Sequence, residues 1–221
     1  MRPLLEVVVR HPRDVPGALD GGADRLSLEQ PGADLDLAGV SAVVRAAGAV
    51  PVRLRFPHPP PDDLGPRLAA VRGLGVAGVG LGLVDEDLEV DVAAGFGLRE
   101  VAPDLAWTFE DDVDRVLDPV RAWRRLRTLP GLTAVATAGA APGRPCDVDA
   151  LLAHAADPAV AALLMPAGEW PAEAVPWLVR AGVRQFRVGD AARVGGSERA
   201  YVDAGRVRSW RLLLDHEAQR A

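Results

Sequence analysis

Eight short runs rich in valine and leucine recur along the chain at nearly constant intervals, and this regularity limits the fold more than any other feature. They read LLEVVV from Leu4, RLSLE from Arg25, PVRLRF from Pro51, GVGLGLV from Gly78, DLAWTF from Asp104, TAVAT from Thr133, AALLM from Ala161 and QFRVG from Gln185. Successive starts differ by 21, 26, 27, 26, 29, 28 and 24 residues. A strand, a crossover helix and the next parallel strand need about 25–30 residues. Eight such units close into a barrel of about 200 or more residues. The 221 residues therefore predict one (β/α)8 barrel of the TIM type, a single domain over 1–221. An open doubly wound sheet usually has fewer strands and a glycine fingerprint after the first, but that turn here reads RHPRDVPG.

Helical patterning fills the intervals. Asp36, Asp118 and Asp147 precede helical segments as N-caps, with Pro119 one position inside its helix, and Gly48, Gly75 and Gly182 stand where helices end. Two stretches, Pro12 to Gly22 and Leu88 to Gly97, read as poor helices, interrupted by Pro16 and Gly17 or shortened before Gly95. PHPPPDD, from Pro57 to Asp63, reads as a stiff loop after the third strand.

Composition narrows the functional classes. The hydrophobic fraction of 49% and charged fraction of 25% are those of a globular domain. All 25 basic residues counted as lysine or arginine are arginine, so arginine abundance carries little weight as a functional signal. A net charge of −6 argues against a nucleic-acid or anionic-membrane surface, although a local arginine cluster still suits a small anion. Cys146 is the only cysteine, which excludes an intrachain disulfide and a multi-thiolate metal site. The apolar run near the start is too short for a signal-peptide core or a membrane span, so the cytoplasm is the expected location.

In this strand order, several local motifs together resemble the copper homeostasis protein family CutC. They are LLEVVV followed by GGADRLSL, VPV before the third strand, LGVAGVGLGLVDED from Leu74, AWTFEDDVD from Ala106, TAGAA after the sixth strand, LLMPAG from Leu163 and AGVRQFRVGDAAR from Ala181. The resemblance implies a TIM-type barrel, a cytosolic location, frequent homo-oligomers and a role in copper homeostasis. Departures from the family pattern bear on chemistry. Glu110 and Asp111 stand at the His and Arg of the family's TFHRAFD, Ser27 and Glu29 at the Glu and Cys of its second strand, and Arg187 at its last-strand His. The family's RPR after the third strand is FPH here, and its MPGGG runs from Met165 to Glu169 as MPAGE. Glu6, Arg25, Thr108, Asp114, Thr137 and Gly139 keep the family's residues.

Alternate strand residues face the lumen of a barrel, and sites gather at the strands' C-terminal ends. Glu6, Glu110 and Asp114 are the candidates for handling a proton. Arg25, Arg53, Arg55, Thr137, Gly139, Arg187 and Gly189 are the candidates for gripping a small anionic ligand. The other reading of these charges is an interior ion-pair network in which they neutralise one another, and the two readings are compatible; the alternative function is a non-catalytic divergent barrel that acts as a binding or scaffold protein without direct copper binding. The glycines of MPAGEW and VGDAARVGGS suit a phosphate loop but suit ordinary turns better. The histidines at 11, 58, 154 and 216 share no metal-ligand spacing, so no copper or zinc site is expected, and each, including His58 in the proline loop, reads as a solvated or packing residue. Glu29, Glu110, Asp111 and Asp112 are carboxylates that suit a hard cation, but acidic loop residues such as these read as solvated.

Overall fold

A computed structural model of the chain describes residues 2–30 and 34–221. All eight apolar runs form strands: β1 (Leu4–Val9), β2 (Arg25–Leu28), β3 (Val52–Arg55), β4 (Gly78–Leu81), β5 (Ala106–Phe109), β6 (Leu132–Thr137), β7 (Leu164–Pro166) and β8 (Gln185–Val188). Helices fill the intervals: α1 (Asp14–Asp20), α2 (Leu37–Ala47), α3 (Leu64–Gly73), α4 (Val92–Val101), α5 (Pro119–Leu126), α6 (Val148–Ala155), α7 (Pro158–Ala161), α8 (Val175–Arg180) and α9 (Ala204–Arg220). The strands pair in parallel in the order β7-β6-β5-β4-β3-β2-β1-β8, giving the expected (β/α)8 barrel. Only the ladder between β7 and β8 is missing. Side chains stitch that seam at both ends. Gln185 Nε2 donates to the Thr133 carbonyl at 2.8 Å and the Ala162 carbonyl at 3.3 Å, and Trp170 Nε1 donates to the Arg187 carbonyl at 2.8 Å.

The period of two sorts each strand into a helix-facing and a lumen-facing row. Leu5, Val7, Leu26, Leu54, Val79, Trp107, Phe109, Val135 and Phe186 turn outward into one continuous apolar core beneath the helices. Each such side chain contributes about 1.5–3 kcal/mol through burial. The lumen row is polar on most strands, with Glu6 on β1, Arg25 and Ser27 on β2, Arg53 on β3, Thr108 on β5 and Arg187 on β8 all buried. Ala134, Ala136 and Met165 supply a small apolar cluster on the β6–β7 side.

The caps lie where the sequence places them. Asp36, Asp118 and Asp147 accept from the backbone N–H groups of Gly39, Arg121 and Ala150, at 3.0, 2.9 and 3.0 Å. The two segments read as poor helices are helical after all. In α1, Pro16 falls in the first turn, where no intrahelical donor is needed. Its neighbour Gly17 packs so tightly that a Cβ there would lie 2.1 Å from the Val202 carbonyl oxygen. In α4 the helix runs on through Gly95, where a Cβ would lie 2.8 Å from Leu129 Cδ2. Tight packing of helix against neighbour, invisible in local propensity, overrides the cost of a helical glycine.

The lumen-facing row of β4 and its exit is glycine throughout, at 78, 80 and 82. A Cβ on Gly78 would meet Arg53 Cγ at 3.2 Å, one on Gly80 would meet Glu110 Oε1 at 2.1 Å, and one on Gly82 would meet Asp112 Oδ2 at 1.6 Å. Charged side chains from β3 and from the end of β5 lie across β4 in the room those glycines leave. Gly80→Ala is therefore expected to destabilise the fold by about 1–3 kcal/mol. Gly97→Ala in α4, where the added methyl meets nothing within 4 Å, is expected to stabilise it by about 0.5–1 kcal/mol. Urea unfolding of the two variants beside the parent checks the pair.

Candidate functional site at the barrel mouth

Glu6 lies at the centre of the lumen, with no solvent-exposed surface. Strand register puts Arg25 of β2 and Arg187 of β8 directly beside it. Both donate to its carboxylate, Arg187 Nε to Oε1 at 2.6 Å and Arg25 Nε to Oε2. Burial alone would push the Glu6 carboxyl up, but Arg187, Arg25 and Arg53 outweigh it and hold the group at about 2. Arg187 then spans the lumen to Glu110 at the end of β5, with a bidentate pair at 2.5 and 3.0 Å. Glu110 is likewise lowered, burial being overcome by Arg187 and Arg55.

Arg53 differs from its neighbours. It donates to the hydroxyls of Thr108 at 2.6 Å and Thr133 at 2.7 Å, and no carboxylate among the described residues pairs with it. Burial and the nearby Arg25 and Arg187 lower it to about 10, against the pull of Glu6 and Glu110, so it remains charged near neutral pH.

Charges alternate upward from this core. Arg55 Nε lies 3.0 Å from Glu110 Oε2, close in charge though off the hydrogen-bond axis. Its other nitrogens reach Glu29 at 3.2 Å and the exposed Asp111 at 3.5 Å. Glu29 accepts from Arg10 at 2.7 Å, Arg10 reaches Asp190 at 2.6 Å, and buried Arg193 links Asp190 to Asp14. The lumen is thus filled by its own side chains. Glu6 and Arg25 lie beneath the mouth, out of solvent's reach, within this ion network, and Arg53 lies beside them on its two threonine hydroxyls.

One open space at the mouth lies to one side of the barrel axis. A cleft of about 500 Å3 sits above β2, β3 and β5, lined by Glu29, Arg55, His58, Arg67, Glu110, Asp111, Asp112 and Arg115 among others. A smaller hollow of about 150 Å3 lies over the lumen itself, bordered by Arg10, Glu29, Arg55, Asp111, Gly168, Arg187, Gly189 and Asp190. Arg55, Glu110 and Arg187 are thus the sequence candidates at the mouth, with Gly189 in the rim. Asp190, the residue after Gly189, already holds Arg10, and its carboxylate is a poor neighbour for a phosphate.

The remaining candidates sit elsewhere. Asp114 accepts from the Thr137 hydroxyl at 2.5 Å and from the Ala138 N–H at 2.8 Å, while the Gly139 N–H donates to the Thr137 oxygen at 2.9 Å. Burial pushes the Asp114 carboxyl up. This closed cluster borders a separate groove of about 220 Å3 beside Trp123 and His154. Sequence reasoning missed two cleft residues, His58 and Asp112. Asp112, expected in solvent, is buried, and its Oδ1 lies 3.2 Å from His58 Nδ1 and 3.1 Å from Arg115 Nε. The available signal was Gly82 in GVGLGLV, which makes room for that carboxylate.

Fold and site define a (β/α)8 barrel with a charged lumen and an off-axis cleft at its C-terminal mouth. No family model and no curated protein matches the sequence. Among solved structures, the chain is similar to a protein assigned as the copper homeostasis protein CutC of Streptococcus agalactiae, with 16% identity, a TM-score of 0.70, and coverage of 85% of this chain and 98% of that one. It is also similar to thiamine phosphate pyrophosphorylase of Pyrococcus furiosus, at 14% identity and TM-score 0.63 over 97% of this chain and 96% of that one. A 3-hexulose-6-phosphate synthase matches at 18% and 0.63, over 95% and 99%. Identities this low establish the shared barrel.

Because Glu6 is held at about 2 against an ordinary 4.5, its ion pairs contribute stability that is fully present above pH 4.5 and lost as the pH falls through 2. Glu6→Gln is expected to cost about 3–5 kcal/mol at neutral pH, since it leaves two buried guanidiniums short of a counter-charge. The gap to the parent should narrow as the pH falls below 4.5, which denaturant unfolding across the acid range measures.

Proposed function

We propose that this barrel binds a small polar molecule in the off-axis cleft, and that any chemistry it performs takes place there and not in the lumen. The observation that carries this reading is a cleft of about 500 Å3 at the strands' C-terminal ends, where barrel enzymes place their sites. Arg55 and Glu110 at its edge tie the ligand space to the buried network. CutC-like kinship and a role in copper homeostasis belong to the same proposal, supported by the ordered sequence motifs and the fold neighbour. Among the described residues no group of three or more His, Cys, Asp or Glu side chains is arranged to hold a metal ion.

The lining also bears on ligand charge. Five carboxylates, Glu29, Asp34, Glu110, Asp111 and Asp112, face three guanidiniums, Arg55, Arg67 and Arg115, with His58 beside them. Arg55 and Arg115 are already engaged with carboxylates, and Arg67 pairs with Asp63. A ligand rich in hydroxyls or carrying an amine therefore suits the cleft better than an anion. The anionic ligand expected from the arginine pattern retains one support: Arg55 holds partly exposed Glu29 and exposed Asp111 by pairs worth about 0–1 kcal/mol, which an incoming anion can displace.

Ligand-observed NMR with a panel of polyols, amines, sugar phosphates and dicarboxylates tests both points against the parent and Pro142→Trp, which fills the cleft from its exposed edge. A polyol or amine should bind the parent and lose at least about tenfold in affinity, or about 1.4 kcal/mol, in the variant. Preferential binding of the anions would reverse the charge assignment, and binding indifferent to Pro142→Trp would move the site. Titration with Cu(I) is expected to show no stoichiometric tight binding.

A further inference from the structure

The geometry points to His58 and Asp112 as an acid–base pair in the cleft, the Asp112 carboxylate holding the imidazole through Nδ1 so that Nε2 takes a proton from a hydroxyl or amine of the bound molecule. The inference rests on the cleft being a ligand site, and it adds a group able to do chemistry there.

The pair is assembled across β4. His58 follows β3, and Asp112 lies in the 3-10 turn Asp111–Arg115 that follows β5. Between them β4 leaves its inward row empty of side chains. A Cβ on Gly82 would occupy the space of the Asp112 carboxylate, 1.6 Å from Oδ2. With only hydrogen at that position, the carboxylate reaches over the strand to place Oδ1 3.2 Å from His58 Nδ1. Burial is graded in the sense an acid–base pair requires. The Asp112 side chain is 7% exposed, while that of His58 is 27% exposed and forms part of the cleft wall.

The electrostatic surroundings are mixed. Burial raises the Asp112 carboxyl, opposed by His58, reinforced by Asp111, opposed by Arg115 and reinforced by Glu110. Arg115 Nε, 3.1 Å from the same Oδ1, opposes that rise with a fixed positive charge. The 3.2 Å contact lies off the hydrogen-bond axis, and a small rotation of the neutral imidazole that brings Nδ1–H onto Oδ1 leaves the lone pair on Nε2. In the proposed step an O–H or N–H bond of the ligand breaks and an Nε2–H bond forms. The electron pair stays on the ligand oxygen or nitrogen, and the resulting imidazolium is paired by Asp112. The transfer leaves every oxidation state unchanged. General-base transfer of this kind asks for an oriented imidazole within hydrogen-bond reach of the ligand.

The tautomer of His58 is the decisive readout, because it is measured on the full chain without any ligand. Uniformly 15N-labelled protein is examined about two pH units above the ordinary histidine value of roughly 6.5, with His58→Gln assigning the signal among the four histidines. The expected result is protonated Nδ1 and bare Nε2. Asp112→Ala and Gly82→Ala should each shift His58 toward the Nε2–H form that an unrestrained imidazole favours, with the other three histidine signals reporting that the fold is intact. A parent protein in which His58 is already the Nε2–H tautomer overturns the pair, whatever the variants do, and leaves the cleft-binding result with Pro142→Trp untouched. If the tautomer is as expected but the ligand found in the NMR panel ignores both Pro142→Trp and His58→Gln, the proton-accepting role is overturned and the cleft reading fails separately.

Discussion

A buried carboxylate between two buried guanidiniums is the interaction on which the rest of this barrel depends. Glu6 cannot be left alone in the lumen, because an isolated charge there costs several kcal/mol. Its partners come from the adjacent strands at the same register level, Arg25 on β2 and Arg187 on β8. Arg187 also grips Glu110 across the lumen. Ionic links therefore cross the barrel on the side where the backbone ladder between β7 and β8 is absent, and the Gln185 and Trp170 hydrogen bonds complete that closure. A lumen packed with aliphatic layers would need no such compensation. This one holds its shape through charge complementarity, with each removal leaving an uncompensated partner.

The same alternation continues to the surface. From Glu110 it passes to Arg55, Glu29, Arg10, Asp190, Arg193 and Asp14, tying the ends of β1, β2 and β3 to the loop after β8. Pairs deep in this series are protected from salt and water, while those at the rim are screened and weak. The rim is thus the one part of the network that a ligand can rearrange at modest cost. Its location next to the cleft connects the packing of the core to whatever the mouth recognises.

Glycine determines where the mouth opens. With no side chain inward at positions 78, 80 and 82, Arg53, Glu110 and Asp112 fill the space over β4. Glu110 and Asp112 are thereby drawn toward β3, and the open volume shifts off axis above β2, β3 and β5. The off-axis cleft, the buried Asp112 and its approach to His58 are consequences of one strand that carries no inward side chains.

Strand number, parallel alternation, the helix caps at Asp36, Asp118 and Asp147, and the polar inward rows were legible in the chain itself, because each depends on period or on nearest neighbours. The helices through Gly17 and Gly95 were not, since their justification is contact with Val202 and Leu129, far away in sequence. Glu6, Glu110 and Arg187 were recognisable as lumen residues. Which of them pair with one another depends on distances across the barrel, which no local pattern encodes. Asp114, Thr137 and Gly139 share the barrel's C-terminal side with the cleft residues, yet their hydrogen bonds turn inward on one another beside a different groove. His58 and Asp112 lie 54 positions apart and belong to loops that look solvated when read singly. The sequence by itself determined a barrel with charged strands. Tertiary structure alone decided which charges cancel and which face the solvent, because electrostatic compensation depends on distance and burial, and both are set only when the barrel closes.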